Sequence, residues 1–346
     1  MPHRPTIADI ARVAGVGVAT VDRVINARRP VRPATAERVL QAAEAVGYYA
    51  TALIRRRMAL QLPERVFGLV LQKHDDPLYQ GIAAAFVAAL KGQNHVRGQA
   101  IIAFVDDLTP ALILAALRRV AEQAHAVGCV SVDHPDVSRA IRRLRERDIP
   151  VFALLSDLNA PARAGYIGLD SRAAGRTAAC LMARMARHEG TVGVLLGSAR
   201  YRGQGDSVAG FRAWFAEQAP GFRLTDTAFN LDDPRVAHEA TLELLKHHDL
   251  VGLYDAGGGR HGIIAALRAE ARGRDLVVIC NELTETTRQA LKDGIITCVL
   301  ALPVEALARA AVEEMIAATT AGAGDARERP VRRILELGIH VSENIG

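Results

Sequence analysis

Thr6-Ile-Ala-Asp-Ile-Ala-Arg-Val-Ala-Gly-Val-Gly-Val-Ala-Thr-Val-Asp-Arg-Val-Ile-Asn26 reads as two short helices joined by a tight turn. The Thr6 hydroxyl can accept from an orphan amide of the first helix, and Asp9, three residues on, can return the bond. Ile7, Ile10, Ala11 and Ala14 recur at helical spacing. Gly15 supplies the left-handed conformation that ends a helix. A second helix beginning near Gly17 is expected to bury Ala19, Val21 and Val24. Val18, Thr20, Asp22 and Arg23 then lie on or beside its outer face. A helix–turn–helix presents such a face to the major groove of DNA.

Charge supports that expectation. Residues 1–65 hold 11 Arg and no Lys against 5 acidic residues, whereas the remaining chain holds 32 basic and 33 acidic residues. The whole positive excess lies in one segment, as phosphate contact requires. Ala27-Arg-Arg-Pro-Val-Arg-Pro33 is a basic turn that places Arg28, Arg29 and Arg32 for phosphates. A third helix is expected from about 34 to 46, with Val39, Leu40, Ala43 and Val46 inward and Tyr48 packed under the motif.

These residues, with Val31, Thr35, Arg38-Val, Ala42 and Gly47-Tyr48, resemble the headpiece of the lactose-repressor family of bacterial transcription regulators over about the first fifty positions. The resemblance implies a symmetric dimer reading a palindromic operator. In it Thr6, Val18, Ala19, Thr20, Asp22, Arg23, Asn26, Arg29, Arg32 and Thr35 face the duplex. Val18 and Ala19 offer apolar contact to thymine methyls, and Arg23 suits a guanine edge. Two departures stand inside the motif. Gly17 replaces the family's usual serine and loses a cap, and Asp22 stands where a serine is common, either paired with Arg23 or accepting from a cytosine amine.

The linker also departs from the family. Ala50 and Thr51 take the places of a proline and an asparagine, and Arg57 falls at or near the leucine that wedges a minor groove in family members. Arg55, Arg56 and Arg57 can still enter a minor groove, where negative potential favours guanidinium. Met58 and Leu60 are the apolar wedge candidates, and Pro63 ends any helix.

From Val66 onward short apolar runs alternate with amphipathic helices, the pattern of parallel sheets covered on both faces. The fold expected is an α-helical helix-turn-helix headpiece followed by an α/β bilobal periplasmic-binding-protein-like domain, two doubly wound parallel-sheet lobes. Its parts are residues 1–50 for the headpiece, 51–65 for a basic hinge, and 66–346 for the effector-binding and dimerisation domain. The first lobe takes 66–165 with 302–320, and the second 166–301 with 321–346. Such lobes bind ligands at the carboxyl ends of their strands.

The strand-end loops are acidic and polar, and paired acceptors suit sugar hydroxyls. Asp75, Tyr79, Asp133, Asp157, Asp206, Asp255, Asn281 and Glu282 are the effector-binding candidates. Several of the family's usual sugar-grip places hold other residues here: Ser207, Ala301 and Leu155. The run Gly257-Gly-Gly259 lacks the spacing of a dinucleotide loop and the lysine of a P-loop, so no nucleotide cofactor is expected. Cys129, Cys180, Cys280 and Cys298 are widely spaced in apolar surroundings, as free thiols of a reducing cytoplasm are, and no metal site is expected. No apolar run approaches the roughly 20 residues that span a bilayer, and Met1-Pro-His-Arg-Pro enters a polar helix rather than a signal segment. No nucleophile–base set stands at informative spacing, so no catalysis is expected. The sequence therefore points to a cytoplasmic, homodimeric DNA-binding regulator, a repressor, controlled by a small sugar or polyol. The alternative is a cytoplasmic binding protein or enzyme with a vestigial headpiece.

Overall fold

The structure, a computed structural model, describes residues 5–26, 31–94, 96–320 and 330–346; Arg28 and Arg29 of the basic turn lie outside the described residues. The chain divides near Val66 into a smaller amino-terminal unit, which also takes in 90–99, and a larger carboxy-terminal unit.

The smaller unit holds α1 (Ile7–Ala14), α2 (Val18–Asn26), α3 (Pro33–Ala45) and α4 (Thr51–Gln61). Thr6 and Asp9 form the reciprocal box at the start of α1: Asp9 N–H donates to Thr6 Oγ1 at 3.4 Å and Thr6 N–H donates to Asp9 Oδ2 at 3.0 Å. The Thr6 amide, together with the Thr6 hydroxyl and Arg12, holds the Asp9 carboxyl down at about 2. Gly15 ends α1 at φ 63°, a conformation that a side chain would strain. Ile10, Ala14, Val21, Val24, Ile25, Val39, Leu40, Ala43 and Tyr48 close one core, with Val46 half-buried against it. Ala19 is exposed, contrary to the expected burial, and Ile25 takes its inward place. The hundred-degree step of an α-helix puts 21, 24 and 25 on one stripe and turns 19 away.

The linker is helical, and it belongs to this core. Ile54 of α4 is fully buried there, and Met58 packs against it. Arg55 pairs with Glu44 on α3.

The larger unit repeats one plan twice. In chain order the first repeat runs β1 (Glu64–Gln72), α5 (Pro77–Lys91), β2 (Arg97–Val105), α6 (Pro110–Ala121), β3 (Ala126–Cys129), α7 (Pro135–Arg145), β4 (Val151–Leu154) and β5 (Gly165–Gly168). The second runs α8 (Ser171–Met185), β6 (Thr191–Leu196), α9 (Arg202–Gln218), β7 (Arg223–Phe229), α10 (Pro234–Leu245), β8 (Leu250–Asp255), α11 (Arg260–Ala269), β9 (Val277–Asn281), α12 (Glu285–Lys292) and β10 (Cys298–Ala301). α13 (Val304–Thr320), β11 (Val331–Ile334) and β12 (Gly338–His340) complete the chain. The strand orders are β11-β5-β4-β3-β1-β2 and β12-β10-β9-β8-β6-β7. Each sheet thus reverses direction beside its first strand, the switch point at which doubly wound folds bind ligands.

Two expected lobe boundaries move. Tyr166 and Ile167, assigned above to the second lobe, are buried in β5, which pairs parallel with β4 and β11 in the first sheet. The chain crosses between lobes only after Gly168. The carboxy-terminal stretch is likewise shared: β11 runs parallel to β5, whereas β12 runs antiparallel to β10. Helices α8 and α9 cross closely because both are glycine at the contact. A Cβ on Gly175 would lie 1.8 Å from the Ser207 carbonyl oxygen, and one on Gly210 would lie 2.1 Å from that of Arg172.

Candidate functional site

On the headpiece, α2 turns Val18, Ala19 and Arg23 to solvent, with Thr20 half-buried beside them. Thr6 is exposed at the start of α1, Arg32 is exposed as the residue that precedes α3, and Thr35 is half-buried in its first turn. The other polar members of the motif are occupied within the fold. Asp22 accepts from Asn26 Nδ2 at 2.7 Å, so it pairs along its own helix rather than with Arg23. Arg57 Nη1 donates to the Ile25 carbonyl at 2.5 Å and to Asn26 Oδ1 at 3.4 Å. Asp22, Asn26 and Arg57 therefore form one network at the carboxyl end of α2, where a cation also offsets the negative helix end. Arg55 and Arg56 remain exposed on α4.

Between the lobes of the larger unit lies a cavity of about 130 Å³ of water-accessible space. α5 brings Tyr79, the segment after β4 brings Ser156, α8 brings Ser171 and α9 brings Gln204 and Ser207, while β9 ends on Asn281, with Glu282 the next residue. Hydrogen bonds close the cleft around it. Lys73 Nζ donates to the Asp232 carbonyl at 2.6 Å, Arg200 Nη2 to the Leu108 carbonyl at 2.9 Å, and Arg202 Nη1 to Asn159 Oδ1 at 2.7 Å. The Gly203 amide donates to Ser156 Oγ at 3.0 Å.

Of the eight acidic and polar candidates, Tyr79, Asn281 and Glu282 line this cavity. The other five do not. Asp75 is exposed and hydrogen-bonds His74. Asp133 accepts from the Asn159 amide and side chain, clamping one loop of the first lobe to another. Asp157 pairs with Arg163 at 2.8 Å, and Asp206 lies 3.4 Å from Arg202 one turn away. Asp255 is buried beneath the cavity, its Oδ1 accepting from the Gly257 amide at 3.1 Å and Asn230 Nδ2 at 3.2 Å. A carboxylate after a strand serves loop closure as readily as ligand contact, since loop amides need acceptors.

The group that sequence reasoning missed is Arg260, only 6% exposed, whose Nη2 donates to Glu282 Oε2 at 2.5 Å. Nothing local marks it, because Glu282 is 22 positions away. Burial raises Asp255 to about 8 and Glu282 to about 7, although Arg260 pulls both down. Burial works against the Arg260 charge too, but Glu282 more than offsets it, so the guanidinium stays charged. The triple glycine is a packing device. Gly257 presses on the Gly197 backbone, Gly258 N–H donates to Asp232 Oδ1 at 2.5 Å, and Gly259 at φ 78° precedes α11. The amides of Gly257 and Gly258 are thus turned to protein carboxylates. Among the described residues, no three His, Cys, Asp or Glu side chains gather as a metal site.

A four-helix unit that exposes one face of its second helix, followed by a two-lobed α/β domain with a cavity between its lobes, defines the architecture. Residues 6–50 match the model of the bacterial regulatory proteins of the lacI family, and residues 67–323 match that of the periplasmic binding protein domain. The chain belongs to the lacI family, with that headpiece followed by that domain. It is 30% identical over 228 residues to an uncharacterized HTH-type transcriptional regulator in the aml 5′ region of Streptomyces limosus, covering 62% of this chain and 59% of that one. It is 29% identical over 209 residues to the HTH-type transcriptional regulator MalR of Streptomyces coelicolor, covering 59% and 57%. The chain thus spans under two thirds of these relatives' length. In fold, it matches an ABC transporter solute binding protein of Agrobacterium vitis bound with alpha-D-tagatopyranose, at a TM-score of 0.72 and 17% identity over 81% of this chain and 96% of that one.

Proposed function

We propose that this protein is a sequence-specific DNA-binding transcription regulator, a repressor, whose operator affinity is set by a small sugar or polyol held between its lobes. One observation carries the proposal: the chain's entire positive excess sits in residues 1–65, a headpiece that exposes Val18, Ala19 and Arg23 on one helix together with its basic linker. Arg23 reads a base edge, Val18 and Ala19 touch thymine methyls, and Arg32, Arg55 and Arg56 hold phosphates. The Asp22–Asn26–Arg57 network sets the end of α2 instead of reading bases. The protein acts as a homodimer in the cytoplasm, two headpieces meeting two half-sites. The effector works only through its different affinity for the two lobe arrangements.

Selection of bound sequences from random duplexes by the purified full chain tests this. A palindromic consensus is expected, and sequence-independent binding alone would overturn it. Turnover of a sugar by the purified chain would instead support the enzyme alternative.

A further inference from the structure

The cavity between the lobes has one carboxylate in its wall and no cation. Among the described residues that line it, Glu282 is the only acidic one, and none is Arg, Lys or His. Glu282 is fixed from behind by Arg260, whose Nη2 donates to Oε2 at 2.5 Å. The guanidinium side chain is 6% exposed and stands outside the lining, whereas that of Glu282 is 24% exposed, which leaves Oε1 for the cavity.

The charges around the cavity have the same sign. Burial pushes the Tyr79 hydroxyl well above its ordinary value, and Tyr201, Glu282, Asp232 and Asp76 push it further the same way. Asp76 and Asp232 also bear on Glu282, opposed by Arg260. Asp255 lies beneath, and burial lifts it to about 8, so it keeps its proton at neutral pH. The cations at the rim are turned to protein oxygens: Lys73 donates to the Asp232 carbonyl, Arg200 to the Leu108 carbonyl and Arg202 to Asn159 Oδ1.

A phosphate or carboxylate on a ligand would therefore lie against like charge. Ligand hydroxyls can bond Glu282 whether or not it holds a proton. An ammonium, with three donors and a charge, gains most from the ionised form. Asn281 and Tyr79, in the same wall, offer oxygens to its other N–H groups.

We propose that the ligand of the cleft carries a protonated amine, as an amino sugar or amino polyol does, and seats it on Glu282. The proposal rests on the cleft being the effector site and narrows the effector's class.

Calorimetry on the full-length protein at pH 6 tests it, with glucosamine and 6-amino-6-deoxyglucose set against glucose, N-acetylglucosamine and glucose 6-phosphate. The better amine is expected to bind at least about tenfold more tightly than glucose, its N-acetyl derivative or the phosphate. Burial holds Glu282 up at about 7, and a neighbouring ammonium lowers that value. Amine binding should therefore release a proton, read as a heat that varies with the ionisation enthalpy of the buffer, and glucose binding should release none. Glu282→Gln should bring the amine down to the affinity of glucose. If that variant does not fold, proton release in the unaltered protein decides. Glucose or the phosphate binding as tightly as the better amine, amine binding without proton release, or a preference kept in Glu282→Gln would each overturn the proposal while leaving the cleft as a sugar site. Binding by no member of the panel would overturn the sugar reading of the cleft together with the proposal.

Discussion

Arg260 reaches Glu282 from below the cavity wall: its Nη2 donates to Oε2 at 2.5 Å, while its Nε and Nη1 are buried without a hydrogen-bond partner. The arginine therefore acts on the cleft through Glu282, holding one carboxylate oxygen down and presenting the other. Removing one member of a buried pair leaves an uncompensated charge, worth about 3–5 kcal/mol. Arg260→Met should destabilise the larger unit by that amount in urea denaturation. Adding Glu282→Gln should return part of the loss, because the orphaned carboxylate is then gone. Equal stability of the single and double variants would show that the pair is not coupled.

Stability should fall as pH rises across the neutral range. Burial lifts Asp255 to about 8 and Glu282 to about 7, against unfolded values of about 4. A carboxyl with a raised folded value holds its proton more tightly in the folded state. Its protonation therefore favours folding in acid, and that contribution is lost between about pH 4 and pH 8. Asp255→Asn keeps an oxygen for the Gly257 amide and no longer titrates. It should flatten the slope by up to about 1.4 kcal/mol per pH unit within that window. Denaturant titrations from pH 4.5 to 8.5 measure this, and an unchanged slope would remove Asp255 as its source.

Arg57 ties α4 to the end of α2 through the Ile25 carbonyl and Asn26. Arg57→Ala should lower headpiece stability by about 1–2 kcal/mol, the range for a charge-assisted bond at a helix end. The calorimetric transition of the headpiece should shift down, with that of the larger unit unmoved. Loss of DNA affinity at unchanged headpiece stability would instead make Arg57 a phosphate contact.

Arg23 is exposed and unshared with Asp22, which bonds Asn26. Arg23→Ala should relax preference at one operator position by about 1–3 kcal/mol. Competition binding against single-base operator variants reads this directly. Uniform weakening across all variants would assign Arg23 to phosphate.

The contact of α8 with α9 admits no side chain at Gly175, where an added Cβ would meet the Ser207 carbonyl at 1.8 Å. Both helices line the cavity, through Ser171 and Ala174 on one and Gln204 and Ser207 on the other. Gly175→Ala should cost about 1–3 kcal/mol by overpacking and weaken effector binding together with stability. Wild-type thermal stability in this variant would mean that the helices separate freely.

The headpiece was legible because its determinants are local. The Thr6–Asp9 box and the Gly15 turn each span only a few residues, so spacing alone sets them, whereas the inward stripe of α2 is 21, 24 and 25 in place of the expected 19, 21 and 24. The alternation of apolar runs and helices likewise disclosed two parallel sheets, since period and length need no knowledge of partners. Three things required the folded chain. The partner of Asp22 depended on which rotamer a neighbouring turn rewards, and it proved to be Asn26 rather than Arg23. The lobe boundary near 166 depended on strand pairing, because β5 is held between β4 and β11, and β11 comes from the far end of the chain. The division of the acidic loop residues depended on which carboxylates loop amides and arginines capture. Asp133 and Asp157 were taken that way, while Glu282 was turned to the cavity by an arginine 22 positions distant. Periodicity and capping are written within a turn of helix, whereas burial, pairing and charge compensation exist only once distant segments meet.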